Sequence, residues 1–298
     1  VIGSPYCLRE YAVDERFGGD EALAVARQEL AERGIALILG FIPNHIAPDH
    51  PWLKDHPERL IRGSEHDFLA NPESFIRTPD GIFARGRDPH FPAWPDVVQL
   101  NAFSPGLREA HIEILGAIAT RCDGVRCDMA MLTCNDVFAH TWGERAGAMP
   151  EEDYWPQIID AVKAEHPDVT LIAEAYWDME RMLQEQGFDY CYDKRLYDHL
   201  VNDDAEAARD HLRTGVGYQD KLLRFIENHD EQRAATVFGC TRSRAAAVAT
   251  STLPGARLFH DGQFEGHTVH IPLFLGRGPA EPIDAEARSF YQRLLHVV

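Results

Sequence analysis

The chain has 298 residues, of which 45% are hydrophobic and 26% are charged, and this composition is typical of a globular protein with one large core. Its formal net charge of −19 argues against a nucleic-acid partner, because binding to a phosphate backbone requires a basic face. No stretch approaches the roughly 20 apolar residues that a membrane-spanning helix needs, so we expect no membrane partner.

Helical and strand-like patterns alternate along the chain. A helix is predicted over residues 20–33, where apolar residues recur at helical spacing and Gly34 marks the end. The continuous apolar run that follows is typical of a buried parallel strand. Strands are predicted at residues 35–42, 124–128, 169–175, 188–192, 222–226 and 256–260. Further helices are predicted at residues 105–120, 154–165 and 205–212.

This alternation predicts an α/β fold with a parallel sheet, and the even spacing of the elements favours a (β/α)8 TIM barrel. Only six of the eight strands are visible, because residues 1–19 have the pattern of a loop. We therefore predict a single, incomplete barrel domain over residues 1–298. Residues 46–101 show little periodicity and predict a long irregular loop region, a kind of connection that is usually functional.

The six cysteines match no zinc-binding spacing, and a chain of this size needs no disulfides to fold. We expect reduced thiols and a cytoplasmic location. The sequence begins at Val1 with neither a signal peptide nor an initiator methionine, so we expect that it is part of a longer protein.

Polar residues collect where the predicted strands end. In a parallel barrel these ends form one rim, and active sites are built there. Period-two alternation also directs Arg126 and Asp128 to the same face of their strand. The polar residues at these ends are Asn44, His45, Arg126, Asp128, Glu174, His229 and Asp230.

Three carboxylates that converge on one rim suit glycoside hydrolysis with retention of configuration. One carboxylate attacks the anomeric carbon, and a second donates and then accepts a proton at a separation of about 5–5.5 Å. Buried ion pairs would explain any one of these residues alone. A metal-dependent hydrolase would need clustered histidines, whereas His45 and His229 are isolated from other histidines on their strands. A non-catalytic barrel used for interactions is the remaining alternative.

Four segments resemble the signature regions of the α-amylase family, glycoside hydrolase family 13. They are residues 41–45, 123–128, 172–174 and 225–230, and Leu100-Asn101 is similar to the end of a short motif before the second region. The order and spacing agree over nearly the whole chain. The resemblance implies the catalytic barrel of that family, lacking its N-terminal strands and C-terminal β-domain, with residues 46–101 resembling a domain B.

The resemblance assigns the catalytic roles residue by residue. It implies that Asp128 is the nucleophile, that Glu174 is the general acid and base, and that Asp230 is the third carboxylate, which holds sugar hydroxyls as the ring distorts. Arg126 would keep Asp128 ionised and oriented. The implied enzyme is a retaining α-glycosidase or transglycosidase.

The expected substrate is an α-linked glucan or oligosaccharide, and the sequence does not decide whether water or a sugar hydroxyl intercepts the intermediate. The resemblance implies that His45 and His229 contact the sugar and that Tyr6 stacks on it. Trp177, three residues beyond Glu174, is expected to be a further stacking platform.

Two positions depart from the family pattern, and a third raises the question of a metal ion. Gly40 stands where the first region usually opens with an aspartate, and the Lys-His pair that often follows the nucleophile is absent after Asp128. Asn44 matches a position that binds calcium in some members. We expect that no cofactor is required, with calcium at Asn44 as the open alternative. We also expect that residues 1–298 alone are poorly soluble or inactive, because an incomplete barrel leaves an open strand edge.

Overall fold

A computed structural model of the chain describes residues 3–274 and 277–298. The chain divides into two compact units, and each is described by itself. The first unit consists of Val1–Glu174 with Glu185–Asp189, and the second of Ala175–Gln184 with Tyr190–Val298.

Strands and helices alternate in both units. The strands are β1 (Ile38–Phe41), β2 (His45–Ile46), β3 (Phe75–Thr78), β4 (Gly81–Ala84), β5 (Val98–Gln99), β6 (Gly124–Cys127), β7 (Thr170–Ala173), β8 (Tyr190–Tyr192), β9 (Leu222–Arg224) and β10 (Ala256–Arg257). The α-helices are α1 (Gly19–Ala31), α2 (Trp52–Asp55), α3 (Glu65–Ala70), α4 (Pro105–Ala119), α5 (Asn135–Trp142), α6 (Tyr154–Glu165), α7 (Glu180–Glu185), α8 (Lys194–Val201), α9 (Ala205–Leu212), α10 (Val216–Gln219), α11 (Ala234–Val237), α12 (Gly239–Thr252) and α13 (Ala285–Val297).

Parallel pairing of β1, β6 and β7 forms the centre of the first unit. The register places Gly40 beside Arg126 and Cys127 beside Ala173. Alternate residues of β7 and three of the four residues of β6 are buried, whereas only Phe41 is buried in β1, which is less buried than its apolar run predicted. The crossover connections contain helices α4 and α6, which pack against each other. The predicted strands and helices are confirmed here, although the observed strands are shorter than the apolar runs that predicted them.

The region of residues 46–101 is more ordered than the sequence suggested. Strands β2 and β5 pair antiparallel, β3 and β4 form a hairpin, and two short helices, α2 and α3, lie between β2 and β3. A cluster of buried apolar side chains holds the region together: Ile46, Leu53, Leu60, Phe83, Val98, Leu100 and Leu107. The prediction of an irregular loop was wrong in this respect, because strands of two to four residues are too short to show periodicity.

The second unit is built around β8, β9 and β10, which also pair in parallel. Its core contains a charged network. Asp193 accepts hydrogen bonds from His211 Nε2 at 2.8 Å and from the guanidinium group of Arg224, and all three side chains are at most 1% exposed. Buried charges of this kind require partners on every side, and Gln219 supplies a further one to Arg224.

Six parallel strands lie at the six predicted positions in the described part of the chain, three in each unit. An eight-stranded closed barrel stays a prediction. None of the helices among the described residues is both long enough and apolar enough to cross a bilayer. All six cysteines are free in the structure.

Candidate active site

One arginine binds two of the predicted catalytic carboxylates. Arg126 Nη1 lies 2.7 Å from Asp128 Oδ1, and Nη2 lies 2.9 Å from Glu174 Oε1. Asp128 directly follows β6, and Glu174 directly follows β7. Because Cys127 and Ala173 are paired in the ladder, the residues that follow them lie side by side. The predicted contact between Arg126 and Asp128 is present, and the strand register explains why Glu174 joins it.

The backbone after Asp128 supports Glu174 from the other side. Met129 adopts a left-handed conformation with φ 42°, and its N–H donates to Glu174 Oε2 at 2.6 Å. Ala130 N–H donates to the carbonyl oxygen of Glu174 at 3.1 Å, and Trp155 Nε1 donates to the carbonyl oxygen of Ala130 at 2.7 Å. A non-glycine residue in this conformation costs about 1–3 kcal/mol and is common at functional sites.

Tyr6 contacts Arg126 although the two residues are far apart in the sequence. The centre of its ring lies 5.7 Å from Arg126 Cζ, within the range of a cation–π contact. The surrounding segment is anchored to Asp96, whose carboxylate accepts the N–H of Ser4 at 2.8 Å and whose carbonyl oxygen accepts the thiol of Cys7 at 3.1 Å. These contacts hold Tyr6, the predicted sugar-stacking residue, against the arginine that binds the two carboxylates.

His45 is 5% exposed, and the centre of its ring lies 5.1 Å from the ring of Trp94. Burial lowers the pKa of His45, while the negative charges of Asp128 and Asp96 oppose this change. The imidazole is therefore neutral at neutral pH and offers one donor and one acceptor. This is the form that suits hydrogen bonds to sugar hydroxyls.

Asn44 is engaged by Gln99, a residue that the sequence did not identify. Gln99 Nε2 donates to Asn44 Oδ1 at 2.9 Å and to its carbonyl oxygen at 3.0 Å, and Asn44 Nδ2 donates to Gln99 Oε1 at 3.3 Å. Among residues 3–274 and 277–298, no three His, Cys, Asp or Glu side chains are grouped to hold a metal ion. The calcium site at Asn44 stays a prediction, and its side-chain oxygen already accepts a hydrogen bond.

The third predicted carboxylate belongs to the second unit. Asp230 Oδ2 lies 3.1 Å from His229 Nε2, and both side chains are about one-third exposed. Asn228 Oδ1 accepts the backbone N–H groups of Asp230 and Glu231, each at 2.9 Å, and so fixes the turn. The convergence of Asp230 with Asp128 and Glu174 stays a prediction.

Trp177 also belongs to the second unit. Its side chain is 36% exposed, and both Trp177 and Asp178 have φ 60°, a left-handed conformation that is rare outside glycine. Trp177 lines a cavity of about 310 Å³ together with Lys194, Arg195 and His199, among others. An exposed aromatic ring beside such a cavity agrees with the predicted stacking role, which stays a prediction.

Two charged residues near these sites were missed because the sequence does not show which charged side chains are buried. Arg233 pairs with Glu227 in a buried contact of 2.7 Å. Glu180 is 1% exposed, and burial raises its pKa to about 7, with smaller effects from Asp193 and Asp178. The fourth-region motif contains Glu227, but nothing in the motif indicates what its carboxylate binds.

Comparisons with known proteins identify the family to which the chain is similar. Residues 5–272 match a family model described as alpha amylase, catalytic domain. Alpha-amylase MalA of Haloarcula japonica is 27% identical over 241 residues, which cover 78% of this chain and 32% of MalA. The alpha-1,4-glucan:maltose-1-phosphate maltosyltransferase of Rhodospirillum rubrum is 25% identical over 205 residues, which cover 64% of this chain and 24% of that enzyme.

The same architecture is present among solved structures. The alpha-amylase from H. orenii superposes with a TM-score of 0.75 at 19% identity, over 99% of this chain and 70% of that one. At this identity the likeness shows the fold alone. The chain spans between 20% and 57% of the length of the curated relatives that it matches.

Proposed function

Because the chain belongs to the alpha-amylase family, we propose that it breaks α-glycosidic bonds between glucosyl units by a retaining, double-displacement mechanism. One observation carries this proposal: a single guanidinium group contacts both Asp128 and Glu174 at the ends of neighbouring parallel strands. A shared guanidinium supports a short separation of the two carboxyl groups. Retaining enzymes need about 5–5.5 Å, whereas inverting enzymes need about 6.5–9.5 Å.

In the first step, a carboxylate oxygen of Asp128 attacks the anomeric carbon as the glycosidic C–O bond breaks. Glu174 gives its proton to the leaving oxygen, so the products of this step are a glycosyl ester on Asp128 and a free sugar hydroxyl. In the second step, Glu174 takes a proton from water or from an acceptor hydroxyl. The oxygen thus freed attacks the anomeric carbon and releases Asp128.

The contacts around each carboxylate suit these roles. Arg126 stabilises the negative charge of Asp128, which must be ionised to attack. The N–H of Met129 and the guanidinium of Arg126 approach the two oxygens of Glu174, and both favour the carboxylate that acts as base in the second step. Proton donation in the first step then requires that bound substrate shields the carboxyl group from water.

The remaining predicted residues bind the sugar in this proposal. Tyr6, against Arg126, offers a ring face, and neutral His45 offers hydrogen bonds. Asp230 and His229 hold hydroxyl groups as the ring distorts, and Trp177 stacks on a neighbouring unit. The substrate is an α-linked glucan or oligosaccharide. The names of the relatives support both hydrolysis and transfer, since one is an alpha-amylase and another a maltosyltransferase.

Product analysis tests the proposal. The protein is incubated with maltooligosaccharides, sucrose and trehalose, and NMR resolves the anomer and chain length of the first product. We expect an α-anomer, with free sugar in the case of hydrolysis or lengthened chains in the case of transfer, and no product from Asp128→Asn. A β-anomer would contradict retention. The competing hypothesis of a non-catalytic barrel predicts no product from any of these sugars.

A further inference from the structure

A buried ion pair closes the loop that follows β9. Arg233 and Glu227 are 3% and 1% exposed, and Arg233 Nη1 donates to Glu227 Oε1 at 2.7 Å. The other oxygen of Glu227 accepts the backbone N–H of Ala234, also at 2.7 Å. Glu227, near the start of the loop, is therefore hydrogen-bonded to Arg233 and Ala234 at its end.

Arg233 also binds the chain beyond β10. Its Nη1 donates to the carbonyl oxygen of Asp261 at 2.7 Å and lies 2.9 Å from His260 Nδ1. Its Nε donates to the carbonyl oxygen of Val269 at 3.2 Å. One guanidinium group thus cross-links the loop after β9 with two stretches of the chain that follow β10.

The enclosed loop carries His229 and Asp230. Inside it, Asn228 Oδ1 holds the N–H groups of Asp230 and Glu231, and His270 Nε2 lies 3.1 Å from the carbonyl oxygen of His229. The backbone at Asp230 is therefore fixed from within by Asn228 and from both ends by Glu227 with Arg233.

We propose that Arg233, held by Glu227, is a positioning residue that sets the place of Asp230 in the reaction. The inference rests on the proposed function, in which Asp230 binds sugar hydroxyls as the ring distorts. With 3% of its surface exposed, Arg233 acts through the loop and not by touching the sugar. A displacement of about 1 Å in a catalytic group costs about 100-fold in rate, so loss of Arg233 lowers kcat. KM changes little, because the contact with Asp230 strengthens only in the transition state.

If Arg233 and Glu227 only stabilised the fold, replacing both with apolar side chains would leave kcat unchanged. Burying two charges costs solvation energy, and a well-packed pair of apolar side chains often stabilises a fold as well as a buried ion pair does. The double variant Glu227→Met/Arg233→Met therefore restores packing but none of the hydrogen bonds to Ala234, Asp261 and Val269. It separates the stability of the fold from the position of Asp230.

The experiment compares thermal melting, kcat and KM with maltooligosaccharides for Arg233→Met, Arg233→Lys and the double variant. Arg244→Met is the matched control, since Arg244 forms an exposed ion pair with Glu286. We expect kcat to fall about 100-fold in Arg233→Met and in the double variant, with partial recovery in Arg233→Lys and no change in the control. A folded double variant with unchanged kcat would overturn the positioning role.

Two further measurements test whether the loss of Arg233 lowers kcat by displacing Asp230. In the Asp230→Asn variant, adding Arg233→Met should lower kcat by less than about threefold, because both changes remove the same contribution. A combined loss of kcat equal to the product of the two single losses would overturn the inference. Hydrogen exchange at the amides of Asp230 and Glu231 does not depend on turnover and should become faster without Arg233. Unchanged exchange would overturn the positioning role. Faster exchange in a protein that releases no sugar would contradict the proposed function alone.

Discussion

At the scale of single residues, the site depends on how Arg126 divides its guanidinium group between two carboxylates. Gly40 lies beside Arg126 in the ladder of β1 and β6. A Cβ atom at Gly40 would meet nothing within 4 Å, so the glycine leaves open space next to the arginine. Family members usually have an aspartate at this position. Because this chain has a glycine there, no carboxylate at position 40 competes with Asp128 and Glu174 for Arg126.

The substitution Gly40→Asp tests this interpretation. Paired residues of parallel strands project from the same face, so the new carboxylate would lie near Arg126 and compete for its hydrogen bonds. It would also add a negative charge that opposes ionisation of the two working carboxylates. We expect the acidic limb of the kcat/KM profile to move to higher pH. Gly40→Asn is the uncharged control. Equal shifts in the two variants, or a shift to lower pH, would contradict the explanation by charge.

At the scale of elements, the predictable part of the molecule was its long apolar strands and the residues that end them. The runs that became β1, β6 and β7 are nearly continuous in apolar residues, so they identify the strand ends at Asp128 and Glu174. The strands of residues 46–101 could not be predicted, because β2 and β5 contain two residues each and depend on distant partners. Gln99 was missed because its partner Asn44 is distant in sequence, and Arg233 because its backbone partners Asp261 and Val269 lie beyond β10.

Helix α7 begins with a carboxyl group whose burial makes stability depend on pH. Burial, followed by the charges of Asp193 and Asp178, raises the pKa of Glu180 to about 7, whereas an exposed glutamate has a pKa near 4.5. The folded protein therefore keeps this proton up to about pH 7, and unfolding releases it between about pH 4.5 and 7. Across that window the free energy of unfolding falls as pH rises, by on the order of 3 kcal/mol in total.

Glu180→Gln should remove this dependence, because an amide cannot ionise. We expect the variant to gain stability over the wild type at pH 8 and to differ little from it at pH 5. Urea unfolding of both proteins at the two pH values measures the difference. Glu185→Gln, an exposed change on the same helix, is the control. A gain that is equal at both pH values would show that the charge of Glu180 is not its cause.

At the scale of the whole molecule, the described residues contain six parallel strands where the predicted barrel has eight. In the first unit, β1 pairs with β6 on one side, and Ile35 and Ile38 remain 50% and 39% exposed. Apolar side chains beside a strand edge favour association with other chains. The sequence could not show whether eight strands close a barrel, because it contains only six apolar runs that are long enough to be predicted as strands.

We therefore expect the chain to associate at high concentration and to bind a hydrophobic dye. Ile38→Lys should reduce both, because a lysine at an edge opposes strand pairing. Val25→Lys is the control, since Val25 is 58% exposed but lies on α1. Light scattering and dye fluorescence are the measurements. A monodisperse chain with a cooperative melt and full activity would contradict the expectation.

The central claim is that Asp128 becomes glycosylated during turnover, and covalent trapping tests it most directly. A fluorinated α-glucosyl fluoride that glycosylates the enzyme quickly and is released slowly would be added, followed by mass spectrometry of the intact protein and its peptides. Asp128→Asn is the negative control, and Asp160→Asn, an exposed change on α6, is the matched one. We predict one added sugar per chain, on Asp128, in the wild type and in Asp160→Asn but not in Asp128→Asn. A label on another residue, or turnover without a label and with an inverted first product, would contradict the account.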